Sequence, residues 1–352
     1  MKSDFTKKLL LWNHTHNKRS MPWKGEKDAY KIWLSEIILQ QTRVEQGLNY
    51  YNRFIKEFPT VHHLAKASRQ KVYKSWEGLG YYTRCKNLIE TGNEIVNSYQ
   101  GKFPCTYDEI KKLKGIGPYT AAAISSFAFN LPYAVVDGNV IRILSRYFGM
   151  TTPANSSQGK KLYAEIAQSL LSEKKAGKYN QAIMDFGAVI CKPKNPLCTE
   201  CIQKKDCQAF QHDWVNMLPI KEKKIEKKQR WFYYFIFENK NDVYIRQRKE
   251  KDIWGNLFEF ILVEKDRATD EDEILKSETF LKYSGKQKIS IAEISPHIKQ
   301  QLTHQTIHVQ FLRFKINGIN SSLKKDFLQI PKKQLSLYAF PKIIASYLRQ
   351  NT

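Results

Sequence analysis

The chain has 352 residues, 42% of them hydrophobic, which is enough for two domains of ordinary size. Its 58 Lys and Arg stand against 34 Asp and Glu, a formal charge of +24. An excess of that size is more than a solubilising surface needs and points to a polyanionic partner, either nucleic acid or an anionic membrane face.

The N-terminal stretch from Met1 to Asn17 is mixed in charge and lacks the apolar centre and cleavage site of a signal peptide. The most apolar run, Ala121 to Val136, is interrupted by Ser125, Ser126, Asn130 and Pro132 and is too short and polar to span a bilayer. The expectation is an intracellular, cytoplasmic and nucleoid-associated protein without membrane contact, monomeric by default. Six cysteines in such a chain read as metal ligands or free thiols rather than as a disulfide framework.

From about Asp4 to Phe210 the pattern is helical, with periodic segments at Ile32 to Gln41, Ser68 to Trp76, Lys86 to Asn97 and Ser156 to Leu171. Glu36 falls on the first of these among Ile32, Trp33, Leu39 and Gln40. A carboxyl on so apolar a face either pairs with a cation or keeps its proton to higher pH. Further on, LKGIGPYTAAA at Leu113 sets Gly115 and Gly117 after a short helix and Pro118 at the start of an Ala-rich one. A glycine turn feeding a helix start exposes N–H groups at the positive end of the dipole, which suits a phosphate; a plain helix–turn–helix corner has the same pattern. Asp137 follows the apolar AVV and precedes the helical GNVIRILSRYF, so it reads as an N-cap. Capping N–H groups would also hold it ionised. One protonatable carboxyl and one anionic carboxyl is the division of labour that glycosidic cleavage needs.

Cys191, Cys198, Cys201 and Cys207 are spaced C-x6-C-x2-C-x5-C in one loop. Four thiolates so close would repel one another unless a cation neutralised them. Zinc ribbons bring two C-x-x-C knuckles together and only one is present, whereas four cysteines are the usual ligand set of an iron–sulphur cluster. Lys221 to Arg230 is a basic run that reads as a solvated linker. Beyond it, β-branched and aromatic segments at Trp231 to Phe237, Asp242 to Gln247, Leu257 to Glu264 and Thr306 to Ile316 read as strands, followed by a helical Phe340 to Leu348. The fold class is therefore an all-α domain followed by a smaller α+β domain.

Taken together, MPWK at Met21, WLSEIILQQTRV at Trp33, WEGLGYYTRCKN at Trp76, LKGIGPYTAAAI at Leu113, VDGNVIRILSR at Val136 and the cysteine loop resemble the adenine DNA glycosylases of the helix–hairpin–helix superfamily. WGNLFEF at Trp254, QLTH at Gln301 and YAFPK at Tyr338 resemble that family's Nudix-like domain more loosely. The resemblance implies a glycosylase domain over 1–212 with its cysteine loop at 191–207, a basic linker over 213–229 and a lesion-recognition domain over 230–352. It implies one 4Fe-4S cluster on the four cysteines, and as partner a DNA duplex carrying adenine opposite 8-oxoguanine or guanine. Glu36 would protonate N7 of a flipped adenine and then help to activate water. Asp137 would stabilise or transiently bond the sugar C1′, with Tyr119 and Asn139 assisting. Gln41 and Tyr81 would wedge into the base stack, the segment around Thr42 and Leu79 would approach the opposing lesion, and Thr303 and His304 would read it.

Two departures stand out. Leu302-Thr303-His304 occupies the place of the family's usual Phe-Ser-His, and Lys24 stands where many members have Arg. An endonuclease III-like enzyme acting on a damaged pyrimidine is the nearest rival, but its catalytic lysine would fall at Tyr119. A catalytically silent iron–sulphur DNA-binding protein would not need both Glu36 and Asp137. The glutamate-rich signature of a Nudix hydrolase is missing after Trp231, so the second domain should recognise and not hydrolyse.

Overall fold

The computed structural model describes residues 2–222, 227–249, 252–285, 289–318 and 321–351. Residues 223–226 of the expected linker lie outside the described residues. The chain divides into two compact units, Met1–Ala67 with Lys86–Lys223, and Ser68–Cys85 with Lys224–Thr352. The second unit thus takes in an excursion, Ser68–Cys85, from within the stretch assigned by sequence to the glycosylase domain.

The first unit is helical. Its Ala29–Leu39 helix opens at Asp28, whose carboxylate accepts from Tyr30 N at 2.9 Å, and it ends where Gln41 turns to φ 55°. Nine of its residues, Glu36 among them, are buried, so this helix runs through the core with apolar contacts nearly all round. It packs on the Pro118–Phe129 helix, where the small side chains of Ala121, Ala122 and Ala123 let the two axes approach. The Gly138–Phe148 helix is capped by Asp137 at its start and closed by left-handed Gly149 at its end. Around it, Phe5, Leu9, Trp12, Ile143, Tyr147 and Phe186 form the core.

The second unit is a mixed sheet. Its central strand, Lys228–Asn239, runs parallel to Gln305–Ile316, pairing Phe232 with Val309 and Phe235 with Leu312. On its other side it pairs antiparallel with Ile261–Lys265 and, near its end, with Asp242–Gln247. Tyr233, Phe235 and Phe237 enter one apolar core with Phe314 and Leu323. The alternate residue Tyr234 stacks on Phe311, which in turn stacks on Tyr347 of the Lys342–Asn351 helix. Both faces of the strand are covered, which explains its near-continuous apolar run. The Arg69–Trp76 helix joins this unit through Asn256 Nδ2, which donates to Tyr73 Oη at 3.1 Å, and Phe340 N, which donates to Glu77 Oε1 at 2.8 Å.

One close approach positions Asp137's neighbourhood. The Ala176–Val189 helix crosses Gly138–Phe148 at Gly187, where an added Cβ would lie 2.6 Å from Asn139 Cβ. Gly187→Ala should therefore lower thermal stability by about 1–3 kcal/mol through overpacking, and it should disturb the Asn139–Asp137 contact. Unchanged denaturation and unchanged catalytic rate would show that the two helices part freely.

Candidate active site

A cavity of about 760 Å³ in the helical unit is lined by Glu36, Tyr119, Asp137 and Asn139 together. Residues 101 positions apart in the chain thereby share one solvent-shielded space. Glu36 is 8% exposed, and burial pushes its carboxyl up to about 7. A hydrogen bond from the Tyr119 phenol lowers it, and the nearby charge of Asp137 raises it again. Burial, with both carboxylates beside it, keeps the Tyr119 phenol well above its ordinary range, so it stays a donor.

Asp137 is better provided with donors. One oxygen accepts from Asn139 N at 2.9 Å and Val140 N at 2.8 Å, and the other from Asn139 Nδ2 at 2.7 Å. The sequence reading expected these caps to hold the carboxylate ionised. Burial is the largest effect on it and raises its pKa, while the N–H donors and Arg142 oppose the rise. The asymmetry between the two carboxyls survives, because Asp137 has three N–H donors for its charge and Glu36 only the Tyr119 hydroxyl. Arg142 holds the arrangement in register, donating to Asn139 Oδ1 at 2.9 Å and to Gly187 O at 2.7 Å.

The hairpin precedes Tyr119 directly. Gly115 sits at φ +76° over Asn87, whose side chain leaves no room for a Cβ. Gly117 begins the Pro118–Phe129 helix without a side-chain cap, leaving first-turn N–H groups for an outside acceptor. A second groove of about 1510 Å³ starts at Pro118 and Gly138 and is flanked by Arg142, Lys160, Lys161 and Lys221.

Gln41 and Tyr81 are both exposed, and both adopt left-handed backbone, at φ 55° and 49°. Non-glycine residues held there carry strain of the kind that collects at functional sites. Thr42 lines the carboxylate cavity. Leu79 is buried, at 5% exposed. Thr303 and His304 are exposed at the turn before the Gln305–Ile316 strand, and the Tyr81 and Thr303 hydroxyls meet at 2.6 Å.

Sequence reasoning passed over the polar wall of the same cavity. Arg19, Lys24 and Gln181 line it, and all three converge on the fully buried carboxylate of Asp185. A lone acid in the apolar run from Ala182 to Phe186 was the available signal.

Cys191, Cys198, Cys201 and Cys207 all line one small cavity with Arg146, and all are free thiols. Arg146 Nη1 lies 3.5 Å from Cys191 Sγ, and Cys207 Sγ lies 3.4 Å from Arg146 O. Among the described residues no group of three or more His, Cys, Asp or Glu is drawn tightly enough to hold a single metal ion. Four thiols around a common space nonetheless fit the donor set of a larger cluster. No helix among the described residues is long and apolar enough to cross a membrane.

Residues 34–169 match the HhH-GPD superfamily of base excision DNA repair proteins, and residues 232–350 match a NUDIX domain. The adenine DNA glycosylase of Buchnera aphidicola subsp. Baizongia pistaciae is 34% identical over 321 residues, 90% of this chain and 87% of that one. The adenine DNA glycosylase of Homo sapiens is 38% identical over 216 residues, 59% of this chain and 39% of that one. Among solved structures, a thermostable thymine-DNA glycosylase is similar at 30% identity and a TM-score of 0.56, covering 60% of this chain and 97% of that one. An endonuclease III in a DNA complex shares the helical fold, with a TM-score of 0.51 at 18% identity over 60% of this chain and 98% of that one.

The raised pKa of Glu36 has a consequence for stability. Between its ordinary value of 4.5 and about 7, the folded chain holds a proton that the unfolded chain has released. Stability therefore falls as pH rises through that window. Glu36→Gln removes the cost of burying the charge. It should melt higher than wild type at pH 8, by up to about 3 kcal/mol, with the difference closing near pH 4. A pH-independent difference between the two melting curves would show that Glu36 carries no raised pKa.

Proposed function

Since the chain belongs to the adenine DNA glycosylases of the HhH-GPD superfamily, we propose that it removes adenine from duplex DNA by monofunctional hydrolysis, with adenine opposite 8-oxoguanine as its preferred target. The observation that carries this reading is the pair Glu36 and Asp137 in one shielded cavity, the first protonated near neutral pH and the second wrapped in N–H donors.

The chemistry follows from that pair. The base is drawn out of the stack into the cavity, at a cost of a few kcal/mol that wedging by Gln41 and Tyr81 offsets. Glu36 gives its proton to N7, so the electrons of the breaking C1′–N9 bond pass to a neutral leaving base. The Asp137 carboxylate faces the positive charge that develops on C1′. Glu36, now ionised, accepts a proton from the water that adds to C1′. Tyr119 occupies the position where a lyase would place its lysine; a phenol has no amine with which to form a Schiff base, which supports hydrolysis without strand cleavage. The groove beside Pro118 and Gly138, with its flanking lysines, offers a sequence-independent track for the phosphate backbone.

The four cysteines would hold a 4Fe-4S cluster, which when bound supplies cross-linking of the loop and charge for the thiolates. Through Cys191 it would brace Arg142, whose Nε donates to the Cys191 carbonyl at 2.7 Å.

The decisive assay presents duplexes with adenine opposite 8-oxoguanine, guanine, cytosine and thymine and measures free adenine. Release should be fastest from the first, and Glu36→Gln should slow it by at least about 10² while leaving DNA binding in place. Variant rates within tenfold of wild type would remove Glu36 from the chemistry. Thr303→Ala should narrow the preference for 8-oxoguanine over guanine at matched salt, because it removes the hydroxyl that meets Tyr81. An unaltered preference would place lesion reading outside this loop. Protein purified anaerobically should absorb at roughly 400 nm and carry about four irons per chain. Stoichiometric zinc without iron would refute the cluster.

A further inference from the structure

Three side chains of the Tyr82–Ser98 helix, Asn87, Glu90 and Thr91, lie against the two residues on which the hairpin turns. They stand three and four positions apart and so share one helix face. Asn87 lies under Gly115, where an added Cβ would come within 2.7 Å of its Nδ2. Glu90 pairs with the Lys114 ammonium. Thr91 is fully buried, and its hydroxyl donates to the Lys114 carbonyl at 2.8 Å. A threonine inside a helix can return its hydroxyl to the carbonyl four residues back. This one directs it to the hairpin.

The consequence follows from the planarity of the peptide that joins Lys114 to Gly115. That peptide is trans, so its C=O and N–H point in opposite directions. With the oxygen drawn onto the buried Thr91 hydroxyl, the Gly115 N–H is turned away from the helix. Gly115 and Gly117 are both exposed, and among the described residues no acceptor is found for either N–H. Gly115, at φ +76°, has no side chain to resist rotation of this peptide, so the Thr91 hydroxyl selects between its two orientations. Rotated the other way, the turn would offer an acceptor oxygen where it now offers a donor.

We infer that Thr91 is a positioning residue for the DNA backbone: by holding the Lys114 carbonyl inward it presents the Gly115 N–H, together with that of Gly117, to the phosphates of the duplex. This rests on the proposal that the hairpin and the groove beside it take the phosphate backbone. Hydrogen bonds from N–H groups to a charged phosphate oxygen are the strong kind. They fix register without reading sequence, so what Thr91 contributes is affinity common to all duplexes. Without the hydroxyl, the Lys114 carbonyl is left unpaired or the peptide rotates, and either outcome weakens the grip.

The test titrates the full chain at matched salt with two duplexes. One is fully paired; the other carries a 2′-fluorinated adenine nucleotide, which resists cleavage, opposite 8-oxoguanine. Thr91→Val keeps the side-chain shape and lacks the hydroxyl. It should bind both duplexes about threefold to tenfold more weakly with the ratio between them unchanged, and Thr91→Ser should restore most of the loss. Thr91→Ala, which places no methyl against the carbonyl, provides a second arm with the same expected loss. The amide resonances of Gly115 and Gly117 give a readout that a change in stability alone does not move. Both should shift when wild type binds the paired duplex, and in Thr91→Val the Gly115 response should vanish while that of Gly117 is kept. Affinity within twofold of wild type in both folded variants, a loss confined to the mispaired duplex, or an unaltered Gly115 response would overturn the inference and reduce Thr91 to a packing contact. Failure of the underlying reading shows separately, as wild-type protein that binds the duplex while neither glycine amide responds.

Discussion

The burial of Glu36 is the constraint to which the helical unit answers. A carboxyl in the middle of a core helix costs stability whenever it is charged, and among the described residues no ion pair offsets that cost for Glu36. Its hydrogen-bond donor is the Tyr119 phenol, which holds a place without neutralising a charge. The neighbouring carboxyl, on another helix start, is treated differently: Asp137 receives two backbone N–H groups and an amide. Two acids within one cavity are thus separated in proton affinity by what touches them, and that separation is what the proposed division into an acid and an electrostatic stabiliser requires.

Supporting contacts extend outward from that pair. Asn139 both caps Asp137 and receives Arg142, and Arg142 is anchored on the carbonyls of Gly187 and Cys191. The cysteine loop therefore reaches the Asp137 carboxylate through two side chains. Gly187 keeps the intervening helices close enough for this chain of contacts to close. A cluster far from the chemistry would act on it mechanically, by stiffening the loop on which Arg142 rests.

The second unit has its own organising network. Arg230 joins Glu264 and Asp252, and Arg248 joins Asp252 and Glu259. These pairs hold the turn at Trp254 to Asn256, where Trp254 and Asn256 both take positive φ. From that turn Asn256 grips Tyr73, and from the YAFPK segment Phe340 N reaches Glu77. The motif residues of this domain are accordingly a clasp for the Ser68–Cys85 excursion, which carries Tyr81 to the Thr303 hydroxyl.

Much of this was legible beforehand because it is local. Helix starts announce themselves through caps such as Asp28, Thr106 and Asp137, whose side chains reach backbone N–H groups two or three residues on. The hairpin glycines and the cysteine spacing are equally short-range, and the strand at Asp242–Gln247 needs only its own composition. What the chain alone could not decide depends on partners distant in sequence. The caps on Asp137 were legible, but the burial that opposes them by raising its pKa comes only with the fold. Leu79 belongs to a motif that suggests DNA contact, and only the fold decides that its own side chain is buried. Asp185 looked like one acid in an apolar helix until folding brought Asn17, Arg19 and Lys24 from more than 160 residues away. The division into units also escaped a linear reading, since Ser68–Cys85 packs with a domain that begins far downstream. Local backbone geometry and periodicity are written in neighbouring residues; desolvation, charge pairing and domain membership arise only when distant segments exclude water together.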